Sequence, residues 1–327
     1  MKLEIKYMLF SIITLAVTGC GGGGNIFDKL FDKKEPVKIT KENSKQVASA
    51  GLRVFDVGDA GTSGTIVASL LVSGGPITSG ERSFTCQQFY NLPSSSGNVL
   101  VKYTDGNGDT QFNRGDSVSL TFTDCIEPSK RIKLNGALKI SFDPEVCKDI
   151  TFPNAIKWTL GGILEVSDLK GIVTTGNKTD NRTYKGSITF CAAPTGPSAL
   201  TEQFKSSEFT VQTNNDTLNF KSVTISATND LATTAYSNSA EAQMSSDALK
   251  GSFRIGTGIF FTPTGKGFVG VGSEFPRDGE LEVSGGFVSG SKVRISALDN
   301  TNVILSTDLD GDQVFESTET VTWESLL

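Results

Sequence analysis

Histidine is absent from this chain of 327 residues. That absence removes Ser-His-Asp and Cys-His nucleophile systems, the HExxH zinc proteases and every histidine-ligated metal centre. A basic surplus is missing too. Thirty Lys and Arg stand against 36 Asp and Glu, a formal charge of −6. Nothing is there to displace phosphate counterions, so nucleic acid is excluded as a partner. The five cysteines contain no Cys-x-x-Cys, which leaves a redox motif or zinc ribbon without support. The N-terminal apolar run, Tyr7 to Thr18, is shorter than the roughly 20 residues of a permanent membrane helix. What remains is 37% hydrophobic residues and 35 glycines, an ordinary globular composition with enough length to bury one or two cores.

Residues 1–19 read as a cleaved secretory signal: Lys2 and Lys6 precede the apolar run, and small residues follow it. Val17-Thr18-Gly19-Cys20 resembles the lipobox of bacterial lipoproteins. The resemblance implies acylation of Cys20 and anchoring in a lipid bilayer. Gly21 is not the Asp that commonly retains such proteins at the inner membrane, so the outer membrane is the expected address. Gly21 to Gly24 form a flexible leash, and residues 20–38 read as tether. Each buried acyl CH₂ contributes about 0.8 kcal/mol. The acidic mature chain adds no polybasic membrane binding, so the acyl chains carry the anchoring.

With Cys20 assigned to lipid, Cys86, Cys125, Cys147 and Cys191 remain. An even number in an exported chain predicts two disulfides. Three pairings are open, and neighbourhood along the chain favours Cys86–Cys125 and Cys147–Cys191.

One helix is expected, over Thr40 to Arg53, with Thr40 as N-cap and Val47, Ala50 and Val54 on one face. Beyond it the text alternates. Val118, Leu120 and Phe122 face one way, as do Leu138, Ile140 and Phe142, then Val223/Ile225/Ala227, Leu281/Val283 and Val293/Ile295/Ala297. Such alternation predicts half-buried antiparallel strands. Gly, Asn, Asp and Pro clusters mark the turns. The phrase Leu134-Asn135-Gly136 recurs at Tyr184-Lys185-Gly186 and Leu249-Lys250-Gly251, as if each strand bends at its glycine. The fold class is therefore all-β, a dozen or more strands in meandering, curved antiparallel sheets, either a sandwich or a half-barrel, with one short N-terminal helix. The expected division is an N-terminal β lobe over 39–127 and a larger one over 128–327.

A second echo carries chemistry. Residues 105–116 (DGNGDTQFNRGD) align without gaps on 308–319 (DLDGDQVFESTE). Oxygen side chains stand at positions 1, 3, 5, 9 and 12 of both. That spacing is similar to the EF-hand calcium loop, in which alternate side chains and one carbonyl supply the six to eight oxygens of Ca²⁺. Loop one offers Asp105, Asn107, Asp109, the Gln111 carbonyl, Asn113 and Asp116. Loop two offers Asp308, Asp310, Asp312, the Val314 carbonyl, Glu316 and Glu319. Phe112 and Phe315, at position 8, are expected to pin the loops to the core. The glycine sits at position 4 and not 6, and the flanks read as strands, so the helix–loop–helix fold is not implied. Loop two, with more carboxylates, is expected to bind more tightly, and the ion to be structural.

Other features carry less. Arg114-Gly115-Asp116 spells an adhesion tripeptide, but Asp116 is already needed in loop one. Residues 256–272 read as a hairpin with core phenylalanines. Glu280 and Glu282 read as a solvated strand face. Taken with the lipobox, the Asp-rich loops and the run Gly115 to Cys125 resemble a loose set of proteobacterial β-rich lipoproteins, a likeness that implies no particular activity. The expected function is a membrane-anchored, non-enzymatic, calcium-stabilised scaffold for envelope or surface interactions. The alternatives are a carrier of an apolar ligand, such as an acyl chain, in a curved sheet, and an envelope glycan hydrolase. The hydrolase would need two opposed carboxylates about 5–9.5 Å apart.

Overall fold

The computed structural model describes residues 34–58, 78–90, 95–111, 113–126, 132–148, 160–175, 178–194, 199–230, 235–259, 278–285 and 290–326. Residues 1–33 with Cys20, Phe112, and residues 260–277, on which most of the expected hairpin falls, lie outside them.

The alternating runs become one antiparallel sheet. Its strands are β1 (Gly80–Thr85), β2 (Ser96–Thr104), β3 (Ser117–Ile126), β4 (Ile132–Phe142), β5 (Leu160–Thr175), β6 (Lys178–Pro194), β7 (Ala199–Gln212), β8 (Thr217–Asp230), β9 (Ala235–Ser246), β10 (Gly251–Ile259), β11 (Glu280–Ser284), β12 (Lys292–Ala297), β13 (Asn302–Asp308) and β14 (Ser317–Thr322). Spatial order equals chain order throughout the 14-stranded sheet, an up-and-down meander. The expected lobe boundary at 127/128 falls between β3 and β4, which are paired neighbours: Leu120 faces Leu138 and Val118 faces Ile140.

The period-two residues form the inner face. Val118, Leu120, Leu138, Ile140, Val223, Ile225, Leu281, Val283, Val293 and Ile295 are all buried and belong to one continuous cluster. Gly136 has φ +105° beside a shift in register on both its neighbours, so the strand does bend there, as the repeated phrase predicts. Gly251 has a different reason. A Cβ on it would stand 2.8 Å from the Glu35 carbonyl oxygen and 2.6 Å from Val37 Cγ2, because the incoming N-terminal chain lies against it.

Both favoured disulfides are present. Cys86–Cys125 ties the short helix Cys86–Tyr90 to β3, and Cys147–Cys191 ties the 3₁₀ turn Pro144–Cys147 to β6. On the chain-entropy account, loops of this size stabilise the fold by about 4 kcal/mol each.

The helix, α1, spans Ser44–Leu52. It begins later than the sequence suggests because Thr40 and Asn43 cap each other: the Thr40 N–H donates to Asn43 Oδ1 (2.8 Å) and the Asn43 N–H to Thr40 Oγ1 (3.4 Å). Helical backbone resumes at 54–58. Val47, Ala50 and Val54 are buried while Lys45 and Gln46 of α1 are exposed, and beyond α1 the burial is complete, since residues 51–58 are buried without exception. A helix resting on a flat sheet keeps one side in water. This segment instead meets β6 through Asp56, β8 through Gly58, β11 through Gly51 and β14 through Lys45. The sheet curls around it, the half-barrel form of the expected fold.

Candidate metal centre

Each Asp-rich segment joins two neighbouring strands: loop one joins β2 to β3, and loop two joins β13 to β14. The two loops share a set of four hydrogen bonds. At position 1, Asp105 accepts from the Gly108 and Thr110 N–H groups (2.6 and 3.0 Å), and Asp308 from those of Gly311 and Gln313 (2.7 and 3.0 Å). At position 3, Asn107 accepts from the Asp109 N–H and Asp310 from the Asp312 N–H. At position 5, Asp109 accepts from the Gln111 N–H and Asp312 from the Val314 N–H. Thr110 and Gln313, where an EF-hand has its glycine, have φ +62° and +72°. Short oxygen-bearing side chains that bond the backbone two to five residues on make this winding possible.

The loops part company at position 9. In loop two the oxygens of Asp308, Asp310, Asp312 and Glu316 lie within 4.8 Å of one another. Ca²⁺ holds its oxygens at 2.3–2.6 Å, so one ion fits among them. Glu316 closes the loop by accepting the Leu309 N–H through Oε2 (2.7 Å). Asp310, Asp312 and Glu316 each accept through a single oxygen, which among the described residues leaves the second one for a cation. The set is all oxygen and nearly all carboxylate. It suits a hard cation with many ligands, calcium before magnesium, whose small shell keeps several waters. Zinc is disfavoured by the absence of nitrogen and sulfur donors.

Glu319, expected as the closing ligand, lies outside that group. Strand pairing begins at Ser317, opposite Thr307, so Glu319 is already in β14 opposite Leu305. There it pairs with Lys45 of α1 at 3.0 Å. The Val314 side chain is 61% exposed, as expected of a residue that contributes only its backbone. Phe315 does not reach the core. It is half-buried on the outer face, with the Arg294 guanidinium 4.6 Å and Lys292 Nζ 5.8 Å from its ring centre. The early closure of the hairpin sets it over those strand residues, where a cation–π contact replaces burial.

Loop one brings no comparable carboxylate group together among the described residues. Its position 9 is Asn113, whose amide donates to Asp109 Oδ2 (2.5 Å) and whose oxygen accepts from Asn107 Nδ2 (2.6 Å). Gln111 is exposed. Asp116 is 1% exposed and accepts from the Tyr103 hydroxyl (3.0 Å), the Gly106 N–H (2.9 Å) and the Asn113 N–H (2.8 Å). Burial and that bond to Asp116 push the Tyr103 hydroxyl well above the usual phenol range. Amide and hydroxyl donors thus do in loop one what a cation does among carboxylates. Within the adhesion tripeptide Asp116 is turned inward, while the exposed Arg114 pairs with Asp143 at 3.2 Å.

Loop two has a buttress that no motif announces. Gly311, φ +85°, packs on the backbone of Gly290, φ +67°; a Cβ on Gly311 would stand 2.5 Å from Gly290 Cα. Glycines 21 residues apart give no sequence signal of such a contact. On the strand face behind Phe315, Glu280 and Glu282 pair with Arg294 (3.7 and 3.6 Å), and Glu282 also with Lys292 (3.5 Å).

Comparison with known protein families, curated sequences and solved structures finds no match to this chain.

Proposed function

We infer that the protein is an exported lipoprotein, held at the outer membrane by acyl chains on Cys20, and that its folded part is a non-enzymatic β-scaffold stabilised by one Ca²⁺ in loop two. The observation that carries the calcium reading is the gathering of Asp308, Asp310, Asp312 and Glu316 within 4.8 Å. Four carboxylates so close repel one another, and a divalent cation relieves that repulsion. The spacing is that of chelation, tighter than the about 5–9.5 Å between the carboxyl groups of a glycan hydrolase. The lipid anchor rests on the lipobox and the glycine leash. The scaffold role rests on the long meander, its two disulfides and a cation site at a strand turn, at the rim of the core.

The test is a calorimetric Ca²⁺ titration of a soluble chain beginning at residue 25, alongside Asp310→Ala/Asp312→Ala. The expected result is one site per chain, lost in the double variant, with a melting temperature that rises with Ca²⁺. No heat and no shift at millimolar Ca²⁺ would sink the calcium reading. The anchor is tested separately in the native host. Wild type is expected in the membrane fraction, labelled by palmitate, and Cys20→Ser released and unlabelled.

A further inference from the structure

The segment inside the sheet is not part of the sheet. Every strand of the meander is paired by its chain neighbours. Residues 34–58 add to the ladder only one isolated parallel bridge, Pro36 with Ser252. Three further links hold the segment's start: the Ile39 N–H donates to Ser291 Oγ (3.3 Å), Ser252 Oγ donates to the Lys34 carbonyl (3.3 Å), and Lys34 pairs with Asp247 (2.5 Å). The helix has little stability of its own. Its nine residues have no acid in the first turn and no base in the last, and isolated helices below about 12–15 residues are marginal in water. It is folded by its seat. The ladder of β1–β14 draws on the segment only through that bridge, and the apolar side chains it covers include Ile225 and Val283, which its glycines 58 and 51 approach.

The seat contains charge where none is needed for packing. Arg182 of β6 is 2% exposed. Its Nη1 lies 3.3 and 3.4 Å from the two oxygens of Asp56, and its Nε donates to Asp180 (2.8 Å). Asp56 is 7% exposed and Arg53, 3.8 Å from Asp180, is 6% exposed. Arg182 Nη2 is buried with no hydrogen-bond partner among the described residues. A buried ion pair adds less stability than apolar groups of the same volume, and its charges regain hydration when they part. Asp56 leaves with the segment, while Arg182 stays in the wall. Asp180, which holds Nε, belongs to the same strand and stays with Arg182, which leaves free the Nη1–Nη2 edge whose Nη1 now meets Asp56. That edge matches one carboxylate in the bidentate manner.

We propose that residues 44–58 are a displaceable plug, and that the groove beneath takes a single-chain amphiphile of the fatty-acid class, its tail replacing Val47, Leu52, Val54 and Phe55 and its carboxylate replacing Asp56 on Arg182. The plug keeps the groove dry and shut without ligand. Ligand and plug compete for one seat, so apparent affinity is set by the fraction of chains with the plug out. The proposal stands independently of calcium in loop two.

The experiment uses the full mature chain with Cys20→Ser, the fluorescent fatty acid cis-parinaric acid and its methyl ester, and hydrogen exchange read by peptide. Saturable binding of the acid is expected, faster exchange over 44–58 when it binds, and unchanged exchange in β6, β8 and β11–β13. Asp56→Asn, which keeps the volume but loosens the plug, is expected to bind about tenfold more tightly because the open fraction rises. Arg182→Gln is expected to bind acid and ester equally. The proposal is overturned by no saturable binding to wild type and to Asp56→Asn while both keep strand protection. It is equally overturned by wild-type binding that leaves 44–58 protected, or by ester binding as well as acid to the wild type.

Discussion

Loop one and loop two begin alike and end differently, and the difference lies in where the strands meet. Both make the same hydrogen bonds from positions 1, 3 and 5. In loop one, pairing resumes only after position 12, with Thr104 opposite Ser117. The neighbouring strand draws the end of that loop to itself: the Gly115 N–H donates to the Phe142 carbonyl (3.2 Å), and the Phe142 N–H to that of Asp116 (2.9 Å). Asp116 is thereby kept inside the loop. In loop two, pairing resumes three residues earlier and Glu319 is drawn into β14. The N–H at position 2 needs a carboxylate in either case. It takes position 12 in loop one and position 9 in loop two. A shared sequence motif therefore yields a self-satisfied turn in one place and a carboxylate cage in the other.

The largest expected effect separates the two position-12 residues. Asp116→Ala leaves the Tyr103 hydroxyl and two N–H groups without their acceptor, and is expected to cost about 3–5 kcal/mol at one to three per orphaned donor with partial relaxation. Urea unfolding measures it. A loss under about 1 kcal/mol would break the claim that loop one is held by that carboxylate.

Next is the cation. Ca²⁺ at a hundred times its dissociation constant is expected to stabilise the native state by about 2.7 kcal/mol. Glu316→Asn, which gives loop two the residue of loop one, is expected to abolish that gain in thermal melts. The converse exchange, Asn107→Asp with Asn113→Glu, supplies loop one with carboxylates and is expected to raise the calorimetric stoichiometry from one to two. If the stoichiometry stays at one, register and not residue type is what denies loop one its ion.

A smaller effect separates the two position-4 glycines. Both have positive φ, +76° at Gly108 and +85° at Gly311. A Cβ at Gly108 meets nothing within 4 Å, whereas at Gly311 it meets the Gly290 backbone. Gly108→Ala is expected to cost about 1–2 kcal/mol from the left-handed conformation alone. Gly311→Ala is expected to cost more by a further 1 kcal/mol or so and to weaken Ca²⁺ binding, since overpacked sites shift their backbone. Equal costs would remove the buttress from the account.

The smallest effect is at Glu319. Its pair with Lys45 is half-exposed on both sides, so Glu319→Ala is expected to change stability by about 0–1 kcal/mol and to leave calcium affinity unaltered. A lost binding heat would return Glu319 to the ligand set.

Much of this was legible in the residues. Val118-x-Leu120-x-Phe122 and Leu281-x-Val283 name their buried faces because side chains alternate along a strand. The cysteines pair with their neighbours in sequence because a meander puts consecutive elements side by side. The gathering of Asp308, Asp310 and Asp312 is visible because local turn chemistry, contained within five residues, aims them together. Glu319 and Phe315 were misplaced for a common reason. Their positions depend on the register of β14 against β13, and a fixed twelve-residue template assumes that register.

By itself the sequence determined the all-β class, the inward faces, the disulfide pairs and the winding of both Asp-rich loops, since each depends on contacts between residues close in the chain or on the two-residue period. Tertiary structure alone decided which carboxylate closes each loop, that Gly290 supports Gly311, and that residues 51–58 are buried against the sheet with Asp56 against Arg182, 126 residues away. Those outcomes depend on strand register and on the curl of the whole meander, which add up over fourteen strands and leave no local mark in any one of them.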